Sequence, residues 1–492
     1  MHLVAGFAVF AFATATSGFT PSAVAAPVER TSAGDAVGAP RGAQPDWLDD
    51  AVVYGVSPWF FAGDNFPAVE SRLEAIAKVG ANVLWLSPVT EAPPHDFGYA
   101  VTNPFELRST FGTDAEFREL LKEAHAHGLR VMLDAVTNHL AQQSPYFVDA
   151  ERRGRRSPYY SWFAWDATGK PIHYFDWTNL ENLNYSDPRV RDFTMAALAH
   201  WTADYPVDGL RLDAIWALRD RAPVWLALVG RNLKRINPQV VLLAEASALD
   251  PYYSTHGFDA AYDWTSQLGQ WAWHDIFGKP GTTARLSELR TALQAKLEAA
   301  GGTGFKVLRF LNDNDTGRRF ITQHGVQQAR IAAVLLFTLP GVPLIYAGDE
   351  VGAEYEPYHM KRPIDWSDPY SLEPLYQRLV GLRHNSVSLR AGLMSFVATD
   401  HDDRVLAFVR GSRGGALGSG AYDPWMVVIN FGPAPVTVHL GPATPLVQRT
   451  ARWSTLNPLN GRAGKSVRGR SGRLQLQLPG YGALLLRPDS TQ

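Results

Sequence analysis

The feature that most narrows what this chain can become is an alternation of two periodicities. Apolar runs of strand length recur at Val52–Val56, Asn82–Val89, Arg130–Val136, Gly209–Ala214, Val240–Ala246, Ala260–Trp264, Lys306–Leu311 and Val342–Tyr346. Helical patterns lie between most of them, and strands separated by helices pair in parallel. The clearest helix follows Thr113. Thr113 and Glu116 form a capping box, Phe117, Leu120, Leu121 and Ala124 fall at i, i+3, i+4 and i+7, and Gly128 supplies the stop. Another helix starts at Asp187-Pro188, an N-cap followed by a proline whose missing N–H costs nothing there. Eight such strands predict a (β/α)8 TIM barrel over residues 46–390, the α/β fold that gathers reactive side chains at the C-terminal ends of its strands.

Two departures from even spacing carry information. About 70 residues separate the third run from the fourth, too many for a simple connection. The stretch Ser144–Tyr185 is rich in Trp, Tyr, Asn and Pro, so residues 140–186 are expected to form a small inserted subdomain over the barrel mouth. From about residue 391 the helical patterns vanish. Short β-like runs at Val405–Val409, Trp425–Asn430, Val436–Leu440, Leu474–Leu478 and Ala483–Leu486, separated by turn residues, predict a C-terminal antiparallel β-sandwich over 391–492.

The chain's other end reads differently. Residues 1–25 contain no Lys, Arg, Asp or Glu, Leu3 to Phe12 is apolar, and Ala23-Val24-Ala25 fits a small-x-small cleavage site. This predicts a signal peptide and a secreted or periplasmic protein, although only His2 and the amino terminus supply positive charge ahead of the apolar run. The run is too short and interrupted to span a bilayer, so no membrane span is expected in the mature protein. Residues 26–45, rich in Ala, Gly, Pro and Ser, read as a linker. The chain has no cysteine, which excludes disulfides, and its formal net charge of −2 offers no basic stripe for nucleic acid. Aromatic residues reach 12%, a surplus of flat apolar faces that suits ligands exposing C–H, as sugars do.

Polar residues of complementary chemistry stand where the strands end. In Gly209-Leu-Arg-Leu-Asp213-Ala, Arg211 and Asp213 share one strand face, and the guanidinium keeps the carboxylate ionised. Strand three ends in Asp134-Ala-Val-Thr-Asn138-His139, and strand five in Ala244-Glu245-Ala246. Strand seven runs into Asn312-Asp313-Asn314-Asp315, and strand eight into Asp349-Glu350. Carboxylates crowded around one barrel mouth cost energy unless function keeps them. Asp213, Glu245 and Asp315 together suit glycoside hydrolysis, in which one carboxylate attacks and a carboxylic acid protonates the leaving oxygen.

The segments DAVTNH (134–139), GLRLDA (209–214), LLAEA (242–246) and FLNDND (310–315) resemble, in order, the four short motifs of the α-amylase superfamily, glycoside hydrolase family 13. Leu339 to Glu350 is similar to that family's strand-eight segment, and Gly98-Tyr99 with Thr110-Phe-Gly-Thr113 to its region after strand two. The resemblance implies a retaining mechanism with Asp213 as nucleophile, Glu245 as general acid/base and Asp315 as the acid that stabilises the transition state. It further implies that Arg211 orients the nucleophile, Tyr99 stacks on the sugar, His139 binds its hydroxyls and Asp134 is a structural acid beside the site. The implied substrate is a starch-like α-glucan or maltooligosaccharide, cut at α-1,4 bonds by a monomer that requires no cofactor.

Three places depart from the pattern, the first being Gly98-Tyr99-Ala100 where the family usually has Gly-Tyr-Asp. Many family members carry Lys-His where this chain has Trp216-Ala217, and the backbone of that His often helps hold calcium. Asn314 replaces the usual His before the last acid, and is expected to bind substrate by hydrogen bonds without titrating. Asn138 often matches a calcium ligand of the family, but a hard cation asks for about six to eight oxygens. That shell cannot be assembled from the sequence, so calcium stays open rather than expected. A transglycosylase or isomerase using the same residues is the alternative reading, since both form the same glycosyl-enzyme. Intact acids at 213, 245 and 315 argue against a non-catalytic binding protein.

Overall fold

The computed structural model describes residues 45–489 apart from 60, 62, 265–275, 300–303, 359–363, 412–422, 442–451 and 470–472. The predicted signal peptide and all of the linker except Pro45 lie outside the described residues. Eight parallel strands close into a barrel: β1 Val53–Val56, β2 Val83–Leu86, β3 Arg130–Val136, β4 Gly209–Asp213, β5 Val241–Ser247, β6 Ala260–Tyr262, β7 Lys306–Phe310 and β8 Val342–Tyr346. Each pairs with its neighbours in sequence, and β8 returns to β1. Inward side chains such as Val53, Trp85, Met132, Leu243, Tyr262 and Phe310 fill the interior, while the alternate positions pack outward on the helices. Both faces of the strands are therefore buried and, away from the charged residues at their C-terminal ends, mostly apolar, which is why they read as continuous runs rather than alternations.

The helix signals translate directly. Asp114–Ala126 carries the complete capping box, with Thr113 Oγ1 accepting from the Glu116 N–H and the Glu116 carboxylate accepting from the Thr113 N–H at 2.7 Å. Its buried face is Phe117, Leu120, Leu121 and Ala124, and Gly128 follows at φ 75°, a left-handed turn that glycine makes without strain. Pro188–Ala203 is capped by the Asp187 side chain.

The excursion after β3 is built on a three-stranded antiparallel sheet. Trp177–Asn182 runs between His139–Ala141 and His173–Tyr174. Tyr185 ties it down by donating to the Thr137 carbonyl at 2.6 Å. A second excursion, not foreseen from the sequence, follows β2, where Thr90–Glu91 pairs with Asn103–Leu107 and the intervening loop carries Tyr99.

At the C-terminus, a seven-stranded antiparallel sheet faces a two-stranded ribbon of Val436–Leu440 and Leu474–Leu478. Val405, Ala407, Val428 and Trp453 of the large sheet close with Val438, Leu440 and Leu476 over a core of their own. The sheet's other face, Leu406, Phe408, Val427, Ile429 and Leu485, belongs to the same apolar cluster as the barrel helices. Val405–Gly411 and Trp425–Asn430 are consequently buried almost throughout. Four strands of the large sheet were missed from sequence; the longer two, Leu393–Val397 and Arg452–Asn457, lie nearer its edges and alternate in burial, and Arg462–Ala463 and Val467–Arg468 are only two residues long. No helix among the described residues is long and apolar enough to cross a membrane.

Candidate active site

Register places the chemistry. Asp134 on β3 lies directly opposite Arg211 on β4, Val136 opposite Asp213, and Ala244 on β5 opposite Leu212. Strand alternation turns Arg211 and Asp213 inward, and one residue beyond Ala244 brings Glu245 to the level of Asp213. Arg211 is the hub. Its Nη1 donates to Asp134 Oδ1 at 2.8 Å and to Asp213 Oδ1 at 2.7 Å, its Nη2 lies 3.0 Å from Glu245 Oε2, and its Nε donates to the Tyr262 hydroxyl at 3.0 Å. Rings of Trp85, Tyr99 and Tyr262 surround the guanidinium at 5.6–5.8 Å. Burial works against the Arg211 charge, but Asp134 and Glu245 outweigh it and hold it ionised.

The chain kinks immediately after Asp213. Ala214 takes φ 46°, a left-handed conformation that costs a residue bearing a Cβ, and this aims its N–H at Glu245 Oε2, 2.5 Å away. Glu245 is buried, and its pKa stands well above the usual carboxylate range. Burial is the main cause; Arg211 opposes it, and Asp213 and Asp315 add to it. A carboxyl kept protonated near neutral pH can act as an acid there. Asp134, behind Arg211, is pushed up to about 7, chiefly by burial.

Asp213, Glu245 and Asp315 all line one cavity of about 350 Å3, together with Tyr99 and His139. Asp315 Oδ1 accepts from the Tyr358 hydroxyl at 2.9 Å, and burial raises its pKa. The neighbouring Asp313 turns away: it is fully buried, and its Oδ1 accepts from the Asp315 N–H at 2.9 Å, so it braces the loop that presents Asp315. His139 is held by a contact of 3.1 Å between Nε2 and the Tyr99 carbonyl, and burial lowers its pKa. Asn314 stands behind the wall rather than in it. Its Nδ2 donates to the hydroxyls of Tyr99 at 2.9 Å and Tyr358 at 2.7 Å, and Tyr99 in turn donates to Asp134. Asp349 and Glu350 do not line the cavity; Asp349 accepts from Asn312 and Arg319, and Glu350 from the Tyr54 hydroxyl.

Much of the rest of the lining is aromatic, and of these residues only Trp216 was singled out in the sequence. Tyr174, Phe175 and Trp177 arrive from the inserted sheet, Trp216 from the turn after β4, and Tyr358 from beyond β8. Phe175 stacks on Trp216 with centroids 5.5 Å apart, at φ 52° and 61% exposed. The aromatic excess of residues 144–185 was the available signal for the first group; Tyr358 had none.

The position that could hold calcium is filled from within the chain. Asn138 Oδ1 accepts a short hydrogen bond from Arg221, whose guanidinium also takes the carbonyls of Leu183 at 3.3 Å and Ala217 at 3.0 Å. Asn138 Nδ2 contacts Asn182 Oδ1 and His139 Nδ1. Because the Arg221 guanidinium takes the Asn138 oxygen that calcium would need, the residues present do not fit calcium there; among the described residues no group of three or more His, Cys, Asp or Glu could hold a metal ion.

Comparison with known proteins agrees with this geometry. Residues 61–370 match the family described as Alpha amylase, catalytic domain. The chain is 30% identical over 428 residues to Alpha-amylase MalA of Haloarcula japonica, covering 85% of this chain but only 61% of that relative's length. It is 28% identical over 488 residues to Neopullulanase 2 of Thermoactinomyces vulgaris, covering 90% of this chain and 78% of the relative. The acarbose-soaked debranching enzyme of Nostoc punctiforme shares the fold, with a TM-score of 0.74 at 20% identity over 90% of this chain and 99% of that one. With the catalytic-domain match spanning residues 61–370 and the barrel and strand-end acids in place, this chain belongs to the alpha-amylase family.

Proposed function

We propose that the protein is a secreted, retaining glycoside hydrolase that cleaves α-1,4-glucosidic bonds of starch-like α-glucans or maltooligosaccharides. The observation that carries the proposal is the sharing of Arg211 by Asp213 and Glu245 at one cavity wall, with Asp315 lining the same space. Asp213, hydrogen-bonded by Arg211, attacks the anomeric carbon while Glu245 gives its proton to the leaving oxygen. Glu245, now a carboxylate, then draws a proton from water, which cleaves the glycosyl ester and releases Asp213. Asp315 opposes the positive charge that develops on the sugar in both steps. Retaining enzymes keep the attacking and donating carboxyls about 5–5.5 Å apart.

Product analysis tests the proposal. Starch, maltotriose, cyclodextrin, pullulan and trehalose are incubated with the protein and the products resolved, with NMR of the earliest products. The α-anomer is expected; β-anomer would rule out double displacement, and no breakdown of any substrate would rule out the activity. Secretion rests on residues 1–25, and a protein that stays inside the cell with those residues uncleaved would overturn it.

A second reading, transfer to a sugar acceptor, draws support from the aromatic wall. Glu245 faces the leaving group, and an acceptor enters where the leaving group departs. Tyr174 is close enough to Glu245 for that carboxyl to raise its pKa after burial, and the rings of Phe175 and Trp216 continue from Tyr174. Flat rings there favour a sugar over water, and longer or isomeric products would mark transfer.

A further inference from the structure

Arg221 follows the 3-10 turn Ile215–Leu218 and points back toward the barrel mouth. Its three contacts join three stretches of chain. Asn138 ends the segment leaving β3, Leu183 closes the inserted sheet, and Ala217 belongs to the turn that follows Asp213. All three acceptors are neutral oxygens. No described carboxylate hydrogen-bonds to the guanidinium, and among the described residues Tyr185 is the group that favours its charge. The residue as a whole remains exposed, yet burial of its charged end lowers its pKa.

An arginine without a carboxylate partner, set on convergent carbonyl and amide oxygens, occupies a place that a hard metal ion would otherwise take. Its planar fork reaches several acceptors at once, and its charge cannot be lost at ordinary pH. We propose that Arg221 is an internal cation in place of structural calcium, a positioning residue that ties the inserted sheet to the nucleophile's turn. Through Leu183 it holds the end of the strand Trp177–Asn182, which with the hairpin it forms carries Tyr174, Phe175 and Trp177 into the cavity, and through Asn138 it steadies His139. Through Ala217 it holds the turn that sets the Ala214 N–H on Glu245. The positioning role rests on the proposed glycosidase reading; the displacement of the metal does not.

The metal question is tested on the intact protein without substrate. Calorimetric titration with calcium chloride is expected to give no binding heat, and dialysis against EDTA to leave the melting temperature unchanged. Stoichiometric calcium binding with a lower melting temperature in EDTA would overturn the proposal, whether or not the chain cleaves glucans. The positioning role is tested with Arg221→Ala and Arg221→Lys. The alanine variant should lose roughly 10- to 100-fold in kcat, the usual result of moving a reacting group by about an ångström. Millimolar guanidinium should restore part of that loss, and Arg221→Lys should fall between the two. Wild-type kcat and KM in Arg221→Ala, or a loss that neither guanidinium nor lysine relieves, would refute the positioning role. Should Arg221→Ala not fold, the lysine variant and the calcium titration still decide.

Discussion

The two ends of the barrel bury the same guanidinium group in opposite surroundings. At the mouth, Arg211 is 0% exposed and touches Asp134, Asp213 and Glu245. At the base, Arg410 is also 0% exposed, but it donates to the carbonyls of Thr338 at 2.5 Å and Gly392 at 2.8 Å. Arg383 beside it takes the carbonyls of Phe337, Leu339 and Leu389, and burial lowers its pKa to about 10. The carbonyls of Phe337, Thr338 and Leu339 end the helix Val326–Thr338 and lead into β8, and those of Leu389 and Gly392 end the helix Val387–Ala391; the dipole of each helix favours a cation there. Carbonyl dipoles are fixed and neutral, so the basal arginines act as caps and joints. Carboxylates change charge, so the cluster at the mouth holds protons that chemistry can use. Burial alone does not mark a site; the partners of the buried charge do.

Removing the attacking group should separate the two ends most sharply. Asp213→Asn keeps the shape and loses the nucleophile, so kcat should fall by about four orders of magnitude. Thermal unfolding should move little by comparison. A variant with near-normal kcat would remove Asp213 from its role and dissolve the contrast.

Next comes the acid. Glu245→Gln should be severely impaired on natural glucans but partly rescued on aryl glycosides whose leaving group needs no proton. Equal losses on both substrates would show that Glu245 is not the acid. Because Glu245 must be protonated to donate, activity should fall as pH rises through its pKa. Asp315 is one of the charges raising that pKa, so Asp315→Asn should both slow the reaction and shift the alkaline limb of kcat toward lower pH. An unmoved limb would mean that another group sets it.

The basal end should answer in the opposite currency. Arg410→Met strips donors from two buried carbonyls and also removes an unpaired buried charge, for a net loss of about 2–4 kcal/mol. Denaturant unfolding should register this while kcat per folded molecule stays unchanged. Loss of kcat without loss of stability would break the comparison from this side.

Asn314→Ala should have the smallest effect, roughly 1–3 kcal/mol in kcat/KM. The side chain works by holding Tyr99 and Tyr358, and it does not titrate, so both pH limbs should remain in place. A loss as large as that of Asp315→Asn would put Asn314 in direct contact with the reacting sugar.

Much of this arrangement was written locally. The capping box at Thr113, the Asp187-Pro188 start and the eight strand-length runs each depend on neighbours a few residues apart, and each formed where read. Arg211 and Asp213 share a face because strand geometry has a period of two. The C-terminal sheet was harder. Its central strands are buried on both faces, so their apolar runs show strands without showing that one face seals the barrel.

The sequence by itself thus determined the eight barrel strands, the two capped helices, the family and the places of the strand-end acids, because these rest on short-range periodicity and contiguous motifs. Only the tertiary structure decided which acids meet. Asp315 reaches the cavity while Asp313 braces it from behind, although the two are separated by a single residue. Only the fold brought Tyr358 to Asp315, put Asn314 behind two tyrosines and set Arg221 on Asn138, 83 residues away in the chain. A side chain's role at such distances follows from barrel closure and loop packing. Neither leaves a local trace, because the partner's position is set by every element between them.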